Sequence, residues 1–156
     1  MKLYLDMDGV LANFEKGLKK YPECKMPWLE VKGFFRELEP INEPKKELEE
    51  IAKNNEIYIL TKVETRDTYE RAIDKIEWVK EHLPFIKEEN IIIVPYHERK
   101  IDYIKGKGIL VDDYKENLKE WLENKVGEAI KFGKVLKNHR PYNQIINLAD
   151  IQEFLK

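Results

Sequence analysis

Acidic side chains follow two short apolar runs of the sequence, where strands of a sheet would end. Asp6 and Asp8 come directly after the first run, and Asp112 and Asp113 come after the fourth. Carboxylates this close repel one another unless a cation lies between them. Because carboxylate oxygens are the ligands that Mg²⁺ prefers in proteins, the spacing predicts a Mg²⁺ site where the two strands end.

A hydroxyl and an ammonium group join these acids if the runs form neighbouring strands. Thr61 ends the second apolar run, and Lys100 lies in the loop after the third. Ligands of open parallel sheets bind at the carboxyl ends of the strands. Mg²⁺ in such sites takes part of its coordination from substrate phosphate. We therefore expect Thr61 and Lys100 to hold the oxygens of a phosphate group.

Strand and helix patterns alternate along the chain. Five short apolar runs predict strands buried on both faces of a parallel sheet, at 3–5, 57–60, 91–94, 108–111 and 129–132. Helical patterns, several bounded by Pro or Gly, lie at 45–53, 68–82, 98–105, 114–125 and 151–156. This alternation predicts a three-layer, Rossmann-like α/β fold with an open parallel sheet.

A long segment separates the first two predicted strands. It spans about 50 residues, where a plain crossover needs far fewer. Helices at 11–20 and near 28–35 fit its pattern. We predict a small helical cap at 11–43, inserted into a single domain over 1–156. Two ordinary helices packed on the sheet remain the alternative.

The composition excludes several classes of function. Lys and Arg number 28 and Asp and Glu number 30, a formal net charge of −2, so the surface has no overall attraction for nucleic acid polymers or membranes. The single cysteine, Cys24, excludes an internal disulfide and a cysteine-rich zinc site.

With no apolar run of membrane-spanning length and no signal peptide, we expect a cytoplasmic protein. Monomer and homodimer both stay open.

The chain resembles the haloacid dehalogenase superfamily in four ordered motifs. These are "DMDGV" at 6–10, "IYILT" ending at Thr61, a downstream lysine, and "ILVDD" at 109–113. "DMDGVLANF", with "GFFRELEP" and its spacing to "KIEWVKEHLP", is similar to the 5′-deoxyribonucleotidase branch. The resemblance covers most of the chain. It implies a Mg²⁺-dependent phosphatase whose substrate is a small phosphomonoester, a (deoxy)nucleoside monophosphate.

The resemblance also implies a role for each acid. Asp6 would attack phosphorus and form an aspartyl phosphate. Asp8 would protonate the leaving oxygen and then deprotonate water. Asp6, the Asp8 carbonyl and Asp112 would hold the metal, with Asp113 orienting or sharing this set of ligands.

The remaining motif residues would bind phosphate. Thr61 would donate a hydrogen bond, and Lys100 would place a positive charge beside the nucleophile. Gly9 would let backbone N–H groups approach the phosphate closely. Lys105 and Lys107 also precede the fourth strand, so spacing alone does not decide which lysine belongs to the motif.

Aromatic residues of the predicted cap are candidates for substrate recognition, because a nucleobase stacks on flat apolar walls. Phe14 lies at a position that lines the base pocket in the branch that the chain resembles. Trp28, Phe34 and Phe35 are further candidates. These side chains could instead form the cap's own core, and they do not define the base or the sugar.

Other interpretations of the motifs remain. Thr61 and Glu64 match a capping box, and Asp113 could cap the helix that follows it. The same core could serve another small phosphorylated metabolite, or a non-hydrolytic module that accepts or binds phosphate. In receiver domains, however, the acidic pair and the phosphorylated aspartate come from different strands. Asp6 and Asp8 on one strand end favour turnover.

Overall fold

The structure, a computed structural model, describes residues 1–64, 68–134 and 141–155. Its centre is a sheet of six strands: β1 (Lys2–Leu5), β2 (Glu56–Val63), β3 (Ile91–Pro95), β4 (Ile109–Asp112), β5 (Ala129–Phe132) and β6 (Asn143–Ile145). Their order is β3-β2-β1-β4-β5-β6, and each neighbouring pair is parallel. The predicted α/β fold with a parallel sheet is confirmed.

Among the described residues, five α-helices accompany the sheet: α1 (Phe14–Lys19), α2 (Pro27–Glu30), α3 (Pro44–Ala52), α4 (Thr68–His82) and α5 (Lys115–Glu123). Short 3₁₀ segments cover Glu88–Asn90, Lys100–Asp102 and Leu148–Phe154. α2 and α3 each begin with proline, a residue that suits the first turn because its missing N–H would be unpaired there anyway. Within the described ranges, no helix is both long and apolar enough to cross a membrane.

The sheet is buried on both faces, which makes three layers. Leu3 and Leu5 of β1 are fully buried in a core that includes Trp78 of α4. Tyr4 points to the other face, where its ring lies 5.3 Å from that of Trp121 in α5. Alternate side chains of one strand therefore anchor helices on opposite sides of the sheet.

β1 lies between β2 and β4, and this placement positions the acids. Leu5 pairs with Ile59 of β2 and with Val111 of β4. The N–H of Asp6 continues the ladder by donating to the Val111 carbonyl at 2.9 Å. The residues that follow β1 and β4 therefore leave the sheet side by side.

The two ends of the 11–43 segment lie side by side, where the segment leaves the sheet and returns to it. Ala12 forms an antiparallel bridge with Pro40, and Asn13 and Ile41 donate N–H bonds to the carbonyls of Glu39 and Leu11. Between these contacts lie α1 and α2. Both helices are shorter than predicted. Helix α1 begins only at Phe14, because the Asn13 side chain caps it by accepting a hydrogen bond from the Lys16 N–H. Helix α2 ends at Glu30, and turns follow it up to residue 35.

Helix α4 holds the 11–43 segment against the sheet. The indole N–H of Trp78 donates to the Leu38 carbonyl at 2.7 Å. Arg71 donates to the carbonyls of Trp28 and Leu29 at 3.2 and 3.3 Å. Residues 71 and 78 are two turns apart, so both contacts come from one face of the helix.

Two local predictions are wrong. The helix predicted at 98–105 is only the 3₁₀ segment Lys100–Asp102, because the Lys105 N–H donates to the Tyr4 hydroxyl, which donates to the Gly106 carbonyl. Of the helix predicted at 151–156, residues 151–154 belong to the 3₁₀ segment Leu148–Phe154, and Lys156 lies outside the described residues. Strand β6 was not predicted, since its sequence, NQI, is short and mostly polar.

The two buried tryptophans offer a test of how α4 holds the 11–43 segment. Trp78→Phe leaves the Leu38 carbonyl without its indole donor, and we expect it to cost about 1–3 kcal/mol of unfolding free energy. Trp121→Phe is the matched control, because its indole donates to the Gly108 carbonyl on the other face of the sheet. Hydrogen exchange should accelerate at residues 13–39 only in Trp78→Phe. Equal exchange in the two variants would contradict this role for Trp78.

Candidate active site

The carboxyl ends of β1 and β4 bring three carboxylates together. Asp6, Asp112 and Asp113 each offer an oxygen that lies within 4.8 Å of the others. Burial, followed by the charge of Asp6, raises the pKa of Asp112 to about 6. Burial and the charges of Asp6 and Asp112 raise the pKa of Asp113 to about 8. Three carboxylates thus meet at one point, and their hard oxygen donors suit Mg²⁺.

One buried lysine compensates part of this charge. The Nζ of Lys100 lies 2.8 Å from Asp6 Oδ1 and 2.7 Å from Asp112 Oδ2. Burial alone would lower the pKa of Lys100, but these two carboxylates outweigh burial and raise it. Lys105 instead donates to the Glu89 carbonyl, and Lys107 is exposed. Of the three candidate lysines, Lys100 is the one in contact with the acids.

Asp112 is held by two residues at the start of α5, the N-cap Tyr114 and Asn117. Its Oδ1 accepts from the Tyr114 N–H at 2.8 Å, and its Oδ2 accepts from Asn117 Nδ2 at 3.0 Å. Asp112, rather than Asp113 as the alternative interpretation had it, thus bonds the backbone where α5 begins. Asn117 was missed from the sequence. The available signal was an asparagine five residues after Asp112, on the first turns of the helix.

Gly9 lies directly against Asp113. A Cβ on Gly9 would sit 2.1 Å from Asp113 Oδ2, and the backbone has φ +81°. The N–H of Gly9 donates to the Ala12 carbonyl at 2.9 Å. Only glycine fits this close approach. Gly9 thus makes room for Asp113, whereas the motif suggests that it opens the backbone to phosphate.

Asp8 belongs to a different group from the other acids. Its Oδ2 lies 2.8 Å from the Nζ of Lys75, a residue of α4. Burial raises the pKa of Asp8 in spite of this partner. The carboxylate of Asp8 is not part of the three-acid cluster. A metal contact through its backbone carbonyl stays a prediction.

Lys75 was also missed from the sequence. It is 1% exposed and lies three and four residues before the buried Trp78 and Val79. A lysine on the apolar stripe of a helix was the signal, because lysine is rarely buried without partners. Thr61, placed two residues before the end of β2 rather than at it, is one of those partners, at 2.9 Å.

A cleft of about 650 Å³ opens above these groups. Asp6, Asp8, Thr61 and Lys100 line its floor, and the predicted aromatic residues Phe14, Trp28 and Phe35 line the side formed by the 11–43 segment. The Phe14 ring lies 5.8 Å from Trp28 and 6.3 Å from Phe35. The cleft also contacts residues that were not predicted, among them Met26, Leu29, Arg71, Tyr96, Tyr114 and Asn117.

The family model of the 5′ nucleotidase, deoxy (pyrimidine), cytosolic type C proteins matches residues 19–155. The chain belongs to this family. It is therefore a phosphatase of the 5′-nucleotidase type within the haloacid dehalogenase superfamily, as the motifs predicted. No curated protein matches the sequence.

Two solved structures share the fold of this family member. A haloacid dehalogenase-like hydrolase from Burkholderia xenovorans LB400 has 11% identity and a TM-score of 0.67, over 97% of this chain and 94% of its own. A haloacid dehalogenase-like family hydrolase from Streptococcus pneumoniae has 12% identity and a TM-score of 0.67, over 99% and 98%. At these identities the similarity establishes the fold alone.

Gly9 and Gly33 have similar positive φ angles, so their alanine variants separate the cost of steric crowding from the cost of backbone strain. Gly9→Ala and Gly33→Ala both place a side chain at positive φ, which costs about 1–2 kcal/mol. A Cβ at Gly33 meets nothing within 4 Å, whereas at Gly9 it meets Asp113. We expect Gly9→Ala to lose about 1–3 kcal/mol more, measured by urea unfolding. Equal losses would show that Asp113 moves aside without cost.

Proposed function

We propose that this protein hydrolyses 5′-(deoxy)nucleoside monophosphates through an aspartyl phosphate, with Mg²⁺ as cofactor. The observation that carries the proposal is the position of Asp6. Its carboxylate lies 2.8 Å from the ammonium of Lys100 and within 4.8 Å of oxygens of Asp112 and Asp113, at the floor of a cleft with an aromatic side. A nucleophile at that position would lie beside the phosphate and the metal, in the same cleft as the nucleobase.

The chemistry needs a charge-neutralising centre beside the phosphate. Mg²⁺, held by Asp6, Asp112, Asp113 and the carbonyl of Asp8, would neutralise charge on the transferring phosphoryl group. Lys100 shields the Asp6 carboxylate from the negative charge of the phosphate. Without this shielding, two anions would have to approach each other.

The reaction proceeds in two displacements. Asp6 attacks phosphorus, the P–O bond to the nucleoside breaks, and Asp8 gives its proton to the leaving oxygen. Water then attacks the phosphorus of the aspartyl phosphate, and Asp8 takes back a proton. Phosphate leaves and Asp6 is restored. Thr61 holds a phosphate oxygen through both steps.

The 11–43 segment is proposed as the cap that selects the substrate. Phe14, Trp28 and Phe35 provide flat apolar surface on one side of the cleft, and base stacking on such surface contributes about 1–3 kcal/mol per base in other proteins. The family carries the description cytosolic, and we propose the same location for this protein.

A substrate panel tests the activity. With Mg²⁺, we expect phosphate release from nucleoside 5′-monophosphates to exceed release from phosphosugars. We expect Asp6→Asn to abolish turnover, because an amide cannot act as the nucleophile. Asp150→Asn, which changes an acid outside the three-acid cluster, should retain full activity. Preference for phosphosugars would contradict the assigned substrate, and turnover by Asp6→Asn would contradict the assigned nucleophile.

Metal binding is tested separately by thermal unfolding. Mg²⁺ at about 100 times its Kd should stabilise the protein by about 2.7 kcal/mol. We expect Asp112→Asn to lose most of this shift, while Asp150→Asn keeps it. A shift of equal size in both variants would mean that Mg²⁺ binds elsewhere.

A further inference from the structure

Lys75 is buried at the site, yet the chemistry proposed above gives it no step. Its Nζ lies 2.8 Å from Asp8 Oδ2, 2.9 Å from Thr61 Oγ1 and 2.7 Å from the Lys62 carbonyl. An ammonium has three N–H donors and no acceptor. The three contacts use all of them, so Lys75 has no donor left for a substrate.

The contact with Thr61 sets the direction of the Thr61 hydroxyl. Because Lys75 can only donate, the Thr61 oxygen accepts in this bond and its own hydrogen points elsewhere. Thr61 lines the cleft together with Asp6. The hydroxyl is therefore presented as a donor, which is the form that a phosphate oxygen requires.

The contact with Asp8 makes its two oxygens unequal. Oδ2 is occupied by Lys75, whereas Oδ1 is buried and has no hydrogen-bond partner among the residues that the structure describes. A buried carboxylate oxygen without a partner is costly. Substrate in the cleft would supply the missing partner, because Asp8 lines that cleft.

Lys75 also contacts the side of the cleft formed by the 11–43 segment. Its Nζ lies 4.5 Å from the centroid of the Phe35 ring, within the range of a cation–π interaction. One ammonium thus touches an aromatic residue of the cleft, the proposed proton donor and the proposed phosphate ligand. Its position defines the geometry among all three.

We propose that Lys75 is a positioning residue for the two groups that complete the reaction. It holds Asp8 so that Oδ1 faces the leaving oxygen, and it holds Thr61 as a donor to the phosphate. The proposal rests on the proposed function in two respects, namely that Asp8 is the proton donor and that Thr61 binds the phosphate.

Leaving-group dependence tests this role. A nucleoside leaves as an alcohol and needs a proton, whereas 4-nitrophenyl phosphate releases a phenolate that needs little help. For Lys75→Met we expect kcat/KM for the wild type's best nucleotide to fall about 100-fold, since a positioned acid contributes about 10²–10⁴-fold. For 4-nitrophenyl phosphate we expect a fall of no more than about tenfold. Equal losses on the two substrates would overturn the proposal.

A double-mutant cycle asks whether Lys75 acts through Asp8. In an Asp8→Asn background, Lys75→Met should lower kcat/KM for the nucleotide by less than about tenfold, because Asp8 is already lost and only the positioning of Thr61 remains to be removed. A purely structural role predicts that the two losses multiply. Full multiplication would therefore overturn the proposal.

Two further variants distinguish the loss of this positioning role from a general loss of stability. Trp121→Phe removes a buried indole hydrogen bond on the opposite face of the sheet, away from Asp8 and the 11–43 segment, and it should leave the ratio of the two kcat/KM values unchanged. If Lys75→Met does not fold, Lys75→Gln, which keeps two N–H donors, should show an intermediate change in the ratio. An unchanged ratio in Lys75→Gln would count against the proposal.

The substrate assignment can fail without removing this test. If the wild type hydrolyses another alkyl phosphate but no nucleotide, the proposed substrate is wrong. The same comparison is then made between that alkyl phosphate and 4-nitrophenyl phosphate. Its outcome still decides whether Lys75 positions Asp8.

Discussion

Repulsion among carboxylates is the constraint around which this site is built. Parallel pairing of β1 with β4 places Asp6, Asp112 and Asp113 within 4.8 Å of one another. At such separations like charges in a partly buried setting repel by several kcal/mol unless they are neutralised. The ammonium of Lys100 contacts two of these acids, and burial together with the neighbouring carboxylates still raises the pKa values of Asp112 and Asp113.

Two buried lysines each neutralise part of the negative charge of the carboxylates at the site. Lys100 comes from the turn after β3 and lies among the acids that suit a metal. Lys75 comes from α4 and meets the separate acid, Asp8. Removing one partner of a buried ion pair leaves an uncompensated charge. Each lysine therefore keeps its acid in a defined place as well as balancing its charge.

Helix α4 connects the chemistry with the substrate cleft. Arg71, Lys75 and Trp78 follow one another at helical spacing and contact successive parts of the 11–43 segment, at residues 28–29, 35 and 38. Lys75 contacts Asp8 and Thr61 from the same face. A shift of the helix would move the aromatic side of the cleft and the proton donor together.

The sequence by itself determined the parts whose physics is local. Apolar runs fixed five of the six strands, and the acids that follow two of those strands predicted an acidic cluster at one edge of the sheet. The sequence did not predict the short polar strand β6, because this strand depends on pairing with β5. It also did not predict the turn at Lys100–Asp102, because this turn depends on a hydrogen bond with Tyr4. Only the tertiary structure chose Lys100 over Lys105 and Lys107, brought Lys75 and Asn117 to the acids, and packed Gly9 against Asp113. Spacing along a chain records which residues share an element, whereas the order of strands and the docking of α4 decide which elements meet.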